Sequence, residues 1–245
     1  MNKVTKTIAA IMLMTAMVFA AECVNGDQGK FKKDITESDG DGSYNGHEYV
    51  DLGLPSGTLW ATCNVGANSP EEEGDYFAWG ETETKTTYHW GTYRYCNDGY
   101  FEQLIKYCND SKYGFHGFTD NLTVLQPGDD AATANWGSGW CMPTKEQWEE
   151  LYNNTDHSWK EWNGVDGCLF SGKNGAVLFL PAAGSRLYDE LLSAGSYGSY
   201  WSGSLNTGYP HNAWDFFFYS GGCSMSYYGR DDGRSVRAVR SSRQN

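Results

Sequence analysis

Apolar and polar residues alternate through HEYVDLGL, with Val50, Leu52 and Leu54 on one parity and Tyr49, Asp51 and Gly53 on the other. A period of two predicts a half-buried strand, and Pro55-Ser56-Gly57 predicts a turn into a second strand through Trp60. The period changes at WCMPTKEQWEELYNN. There Trp148, Leu151 and Tyr152 fall at i, i+3 and i+4, one face of a helix, and Thr144 with Gln147 forms a capping box at its start. GAVLFLPAAG is an apolar run bounded by Gly and Pro, which predicts a buried strand. Shorter strand-like runs follow at SYWSGS, AWDFFFY, CSMSYY and RSVRAVR. From Ala67 to Gly139 there is little period, so irregular loops are expected there, with short strands such as QLIKY. Few helices, many short strands and no long repeat predict one α+β domain over residues 46–243.

The start of the chain reads differently. Lys3 and Lys6 precede an apolar run from Ile8 to Ala21 that ends in small residues, the layout of a secretory signal over residues 1–22. The run is short for a membrane span and no later segment is longer, so no membrane-spanning segment is expected. Cys23 is a candidate lipidation site, although Glu22 before it suits the processing enzyme poorly. Cleavage after Ala20 would instead release a free protein. Both outcomes stay open: an outer-membrane or cell-surface lipoprotein, or a secreted protein. Residues 23–45 are polar and rich in Gly and Asp, as a flexible tether would be. The DGDG within them lacks the spacing and closing Glu of a calcium loop.

A formal net charge of −13 argues against nucleic acid and anionic membrane surfaces as partners. Ten Trp, seventeen Tyr and thirty Gly point to a loop-rich fold held by aromatic packing. Beyond Cys23, the cysteines Cys63, Cys96, Cys108, Cys141, Cys168 and Cys223 are even in number. They could form disulfides in an exported chain or serve as small buried residues. No CxxC pair is present, which disfavours a structural zinc site. His47, His89, His116, His157 and His211 are scattered singly, none close in sequence to a cysteine. No nucleophile elbow, phosphate loop or HExxH occurs, and no carboxylate pair is singled out by its context. Neither catalytic residues nor metal or cofactor sites are expected.

HEYVDLGLPSGTLWATCNVGA, GDYFAWGET, GWCMPTKEQWEEL, FLPAAG, YWSGSLN and GRSVRAVR follow one another along most of the domain. In this order they resemble the Bacteroidales members of the Fibrobacter succinogenes major paralogous domain family. That family in turn resembles the C-type-lectin-like fold of the formylglycine-generating enzymes. The resemblance implies a single C-type-lectin-like domain of short strands, few helices and many loops. It does not imply the enzymes' chemistry, because the C-terminal region offers only Cys223 where those enzymes use two cysteines. Nor does it imply calcium-dependent sugar binding, since the Glu-Pro-Asn or Gln-Pro-Asp motif and the Trp-Asn-Asp after it are missing. One departure is Cys141, where the family usually carries Arg.

From Leu191 to Arg243 there is no Lys, Glu or Gln, although these types make up 30 of the 245 residues. Strand parity places Trp214, Phe216, Phe218, Cys223 and Met225 inward. The outward and loop positions are Asn206, His211, Asn212, Asp215, Phe217, Tyr219, Gly222, Ser224, Ser226, Tyr227, Tyr228, Gly229, Asp231 and Asp232. Members of the resembled family often carry Asn at many such outward places. An Asn codon AAC with its adenines replaced becomes NNC, which encodes Tyr, Ser, Asp, Gly and Phe but never Lys, Glu, Gln, Met or Trp. That pattern resembles a target of a diversity-generating retroelement, with a variable region at about 206–232. The expected function is recognition of a protein or glycan at the cell surface by this face, without an enzyme activity. A fixed-sequence structural adhesin or envelope protein is the alternative, and an enzyme of the formylglycine-generating type is a third.

Overall fold

Two Asn-Gly dipeptides make tight reversals of the chain. In the computed structural model, which describes residues 42–241, Asn45 and Gly46 join β1 (Gly42–Tyr44) to β2 (His47–Val50), with Tyr44 opposite His47. Asn163 and Gly164 join β5 (Asp156–Trp162) to β6 (Val165–Ser171) in the same manner. The φ angles are 49° and 80° in the first pair and 50° and 83° in the second. This is the left-handed geometry that two-residue hairpins need and that Asn and Gly tolerate. Strand pairing therefore begins before residue 46, inside the stretch read as a tether. The signal segment 1–22 and Cys23 lie outside the described residues.

The alternation from His47 survives in burial but not in pairing. β2 ends at Val50, yet Leu52 and Leu54 stay buried while Gly53 faces solvent. The Gly57 N–H donates to the Leu54 carbonyl at 2.9 Å, closing the expected turn into β3 (Thr58–Asn64). The helix Lys145–Asn154 starts at its capping box: Thr144 Oγ1 accepts from the Gln147 N–H, and Gln147 Oε1 from the Thr144 N–H. Trp148 and Leu151 are fully buried, and Tyr152 lies at the rim of that face. QLIKY forms no strand, and Leu104 makes only isolated bridges with Cys96 and Gly114. The Lys106 and Tyr107 carbonyls accept instead from the Arg230 guanidinium, at 3.0 and 2.9 Å, so they are not free for a ladder. A short helix at Ala131–Trp136, N-capped by Asp130, carries too few turns to show a period in the sequence.

The remaining strands are β4 (Tyr76–Phe77), β7 (Val177–Pro181), β8 (Ser185–Leu187), β9 (Glu190–Leu192), β10 (Tyr197–Leu205), β11 (Asn212–Tyr219) and β12 (Gly222–Gly229). RSVRAVR is not one strand. Arg234–Ser235 forms β13 and Arg237–Ser241 forms β14, which belong to different sheets. One sheet has the order β1-β2-β3-β14 and another β12-β11-β10-β13-β4, while β5-β6-β7 and β8-β9 form two smaller ones. Arg237 fixes the crossing point: its guanidinium donates to Asn64 Oδ1 and to the Ala61 and Thr62 carbonyls of β3 at 2.8–3.1 Å.

β10 is buried along its whole length because a core lies on each side of it. Tyr200 faces Trp60, Trp148, Phe216 and Phe218, with the Trp148 and Phe216 rings stacked 4.9 Å apart. Trp201, next in the chain, faces Trp79, Tyr93, Val236 and Ala238. The domain is thus rich in β-sheet with few helices, and β12 forms one edge of the largest sheet. Among the described residues no helix is long and apolar enough to cross a membrane.

Candidate functional site

The β11–β12 hairpin carries most of the positions singled out by parity. Its register aligns three cross-strand rows with β10: Trp201-Asp215-Ser226, Ser199-Phe217-Ser224 and Tyr197-Tyr219-Gly222. Residues directly opposite share a face, so these rows and Tyr228 lie on one face, buried along β10 and opening toward β12. On the other face Phe216 and Phe218 are buried, and Cys223 and Met225 pack against the same core. The alternation expected from the sequence therefore holds from Asp215 to Ser226, whereas Asn212, Tyr227 and Gly229, placed with the outward and loop positions, fall on the face of Phe216 and Phe218.

Burial divides the outward set. Phe217, Tyr219, Gly222 and Ser226 are half-buried, and Ser224 is exposed. Phe217 packs against Tyr197 and Tyr219, with ring centroids 5.2 and 6.1 Å away. Asp215 requires a correction: parity placed it toward solvent, but it is 0% exposed. The Arg234 side chain covers it, Nη1 lying 3.6 Å from Asp215 Oδ2 while Nη2 donates to Asp232 Oδ2 at 3.0 Å. Ser199 links the group, accepting from Arg234 and donating to Asp215. The guanidinium lies between two aromatic rings, 4.9 Å from the centroid of Trp201 and 4.1 Å from that of Tyr228. Burial pushes the Asp215 carboxyl above its usual range, against the pull of Arg234 and the Ser199 hydroxyl.

Asn206 and Asp231 are buried as well. Asn206 Oδ1 accepts from the Gly208 and Tyr209 N–H groups at 3.0 and 3.2 Å, so its side chain builds the loop beneath the face. Asp231 is held up by burial and then by the Asp232 carboxylate. Asn212 and Gly229 pair with each other, half-buried, at the open end of the hairpin. His211 sits between Phe101 and Tyr113, 4.9 Å from each ring centroid.

Tyr227 points to the opposite side from Tyr228. It is 44% exposed, stacks with Tyr209 at 6.0 Å and meets the Trp214 ring edge-on at 5.5 Å. Trp214, expected as a fixed inward residue, is only half-buried, with Lys145 Nζ 4.4 Å from its ring centroid. Because β12 is an edge strand, Ser224 and Ser226 on one face and Tyr227 on the other border the same rim. A partner reaching around that rim could touch both.

Sequence reasoning missed Arg234 and Arg230. Nothing local marks them, since Arg234 stands near the start of GRSVRAVR, which reads as an ordinary closing strand, and Arg230 sits in the Gly/Asp-rich run before it. Arg230 is fully buried and donates to Tyr93 Oη and to the Lys106, Tyr107 and Pro210 carbonyls, tying the middle loops to the end of β12. The sequence also kept histidines and cysteines apart. In space, Cys223 packs against the core cluster that contains Cys168, and Cys168 and His157 are the polar groups that act on its thiol. All six described cysteines are free thiols, and among the described residues no group of three or more His, Cys, Asp or Glu side chains is placed to hold a metal ion. Compared with protein-family models, curated proteins and solved structures, the chain matches none.

Proposed function

We propose that this chain is an exported or surface-displayed binding protein whose β11–β12 rim recognises a protein or glycan ligand, on a domain of the C-type-lectin-like type. The observation that carries the reading is the two-layer hairpin. Half-buried and exposed small and aromatic side chains lie beside a buried Asp215–Arg234–Asp232 cluster on the same face. Phe217, Tyr219, Tyr227 and Tyr228 offer rigid area with little rotamer entropy to lose, while Ser224, Ser226 and Gly222 adapt to the partner's polar groups. The buried arginine also explains how such a face could be diversified without loss of the fold. Replacing Phe217, Tyr219, Ser224 or Ser226 removes no partner of Arg234 and leaves Phe216 and Phe218 in place. The motif order and the absence of Lys, Glu and Gln from Leu191 to Arg243 support descent from variable Asn codons.

The experiment is a screen of the full-length chain against arrays of glycans and cell-envelope proteins. A specific hit is expected to weaken at least about tenfold on Phe217→Ala or Tyr227→Ala, as central aromatic contacts do. Lys173→Ala, at an exposed position outside the hairpin, should leave binding unchanged. A hit insensitive to both aromatic changes would refute the reading. Tyr228→Ala is the less clean probe, because its ring lies against Arg234 and its loss lowers stability as well as contact.

A further inference from the structure

The β5–β6 hairpin sets Cys168 opposite Trp159 and Phe170 opposite His157, so these side chains share a face. On β12, Cys223 stands opposite Phe218, and the Phe218 and Trp159 ring centroids are 6.4 Å apart. The β5-β6-β7 sheet and the edge of the largest sheet therefore meet at one cluster of two thiols and an imidazole. There Cys168 is a buried member of the core against which Cys223 packs, and Cys168 and His157 are the groups that draw the Cys223 thiol toward its charged form. Cys168 is 4% exposed, whereas Cys223 is only half-buried and is the sulfur a small solute would meet first.

The electrostatics single out the same sulfur. The Cys168 thiol and the His157 ring outweigh burial and hold the Cys223 thiol at about 6. Burial instead pushes Cys63, Cys96, Cys108 and Cys141 up. Cys223 is therefore mostly thiolate at neutral pH, with a second thiol in the same core cluster to attack it once it is oxidised.

We propose that Cys223 and Cys168 form a hydroperoxide-sensitive dithiol, with Cys223 as the reacting thiolate, Cys168 as the resolving thiol and His157 as the group that positions and polarises Cys223. In the first step the Cys223 thiolate attacks the O–O bond of a hydroperoxide. An S–O bond forms, the O–O bond breaks, and the departing alkoxide or hydroxide takes up a proton. In the second step the Cys168 sulfur attacks the Cys223 sulfenic acid. An S–S bond forms, the S–O bond breaks, and hydroxide leaves with the Cys168 proton as water. Two thiols and one hydroperoxide thus give one disulfide, one alcohol or water, and one further water. The product would tie β12 to β6 and fix the strand that carries Ser224 and Ser226, a covalent modification separate from ligand recognition.

The test treats the full-length protein with less than one equivalent of hydrogen peroxide, alkylates the remaining thiols and maps the unreduced peptides by mass spectrometry. The expected product is a Cys168–Cys223 cross-link, two hydrogens lighter than the separate thiol peptides, formed before the other described cysteines are lost. Cys168→Ser should stop the reaction at a Cys223 sulfenic acid that dimedone captures. His157→Gln should slow Cys223 alkylation by iodoacetamide about tenfold while leaving Cys141 unaffected. Earlier oxidation of the exposed Cys141 or of Cys63 in the wild-type protein, a reading that needs no variant to fold, would overturn the proposal. So would a first cross-link joining any other pair.

Discussion

Removing the Asp215 carboxylate would leave the Arg234 guanidinium, with a side chain only 3% exposed, to be neutralised by Asp232 alone. An unbalanced buried charge is far costlier than a lost surface contact. Asp215→Ala is expected to destabilise the domain by about 3–5 kcal/mol, whereas Ser224→Ala, on the same hairpin face, should stay within about 0.5 kcal/mol. Urea unfolding of both variants checks this, and similar losses would mean that the hairpin is not divided into support and surface. Asp231 gives a pH signature. Burial, and then the Asp232 carboxylate, push it up to about 8, so the folded state holds a proton that the unfolded chain has already released. Stability must therefore fall as pH rises from the ordinary carboxylate range toward that value. Asp231→Asn, which cannot ionise, is predicted to exceed the wild type by about 1 kcal/mol near pH 8 and to lose that advantage near pH 4. Melting temperatures across that range decide it; an Asn variant no more stable at the alkaline end contradicts the assignment.

At the scale of elements, the helix Lys145–Asn154 was legible because its signals are local. Its capping box spans residues 144–147 and its apolar face repeats within two turns. Thr144→Ala should cost about 1 kcal/mol by chemical denaturation, and no loss would mean that the cap is redundant. β7, β10, β11 and β12 were legible for a similar reason, since apolar runs and alternation mark strands. The Asn163-Gly164 and Asn45-Gly46 hairpins carry an equally local signal, an Asn-Gly pair between strand-like runs. What local pattern could not show was where RSVRAVR divides. The break at Val236 exists because Ser235 pairs with β4 and Arg237 with β3, partners roughly 160 residues earlier in the chain. The same limit explains QLIKY, whose last carbonyls are taken by an arginine from the far end of the domain.

At the scale of the whole molecule, two aromatic cores sandwich β10, and the hairpin extends from it to the edge of the largest sheet. That position accounts for which parts of the candidate site could be read in advance. Parity separated Phe216 and Phe218 from Phe217 and Tyr219 correctly, because a strand fixes its own two faces. It misjudged Asp215, and the loop positions Asn206 and Asp231 are likewise buried, because what covers a face comes from elsewhere in the chain, here Arg234 and the loops gathered by Arg230. The Cys223, Cys168 and His157 cluster was hidden for the same reason, its members lying on three strands. The central claim is that an open binding rim is built over a fixed support. The most direct measurement is to sequence this gene across many independent isolates of its source. The account predicts replacements concentrated at Phe217, Tyr219, Gly222, Ser224, Ser226 and Tyr227, with Asp215, Phe216, Phe218, Arg230 and Arg234 unchanged. Replacements spread evenly along the chain, or a hairpin rim as constant as its support, would contradict it.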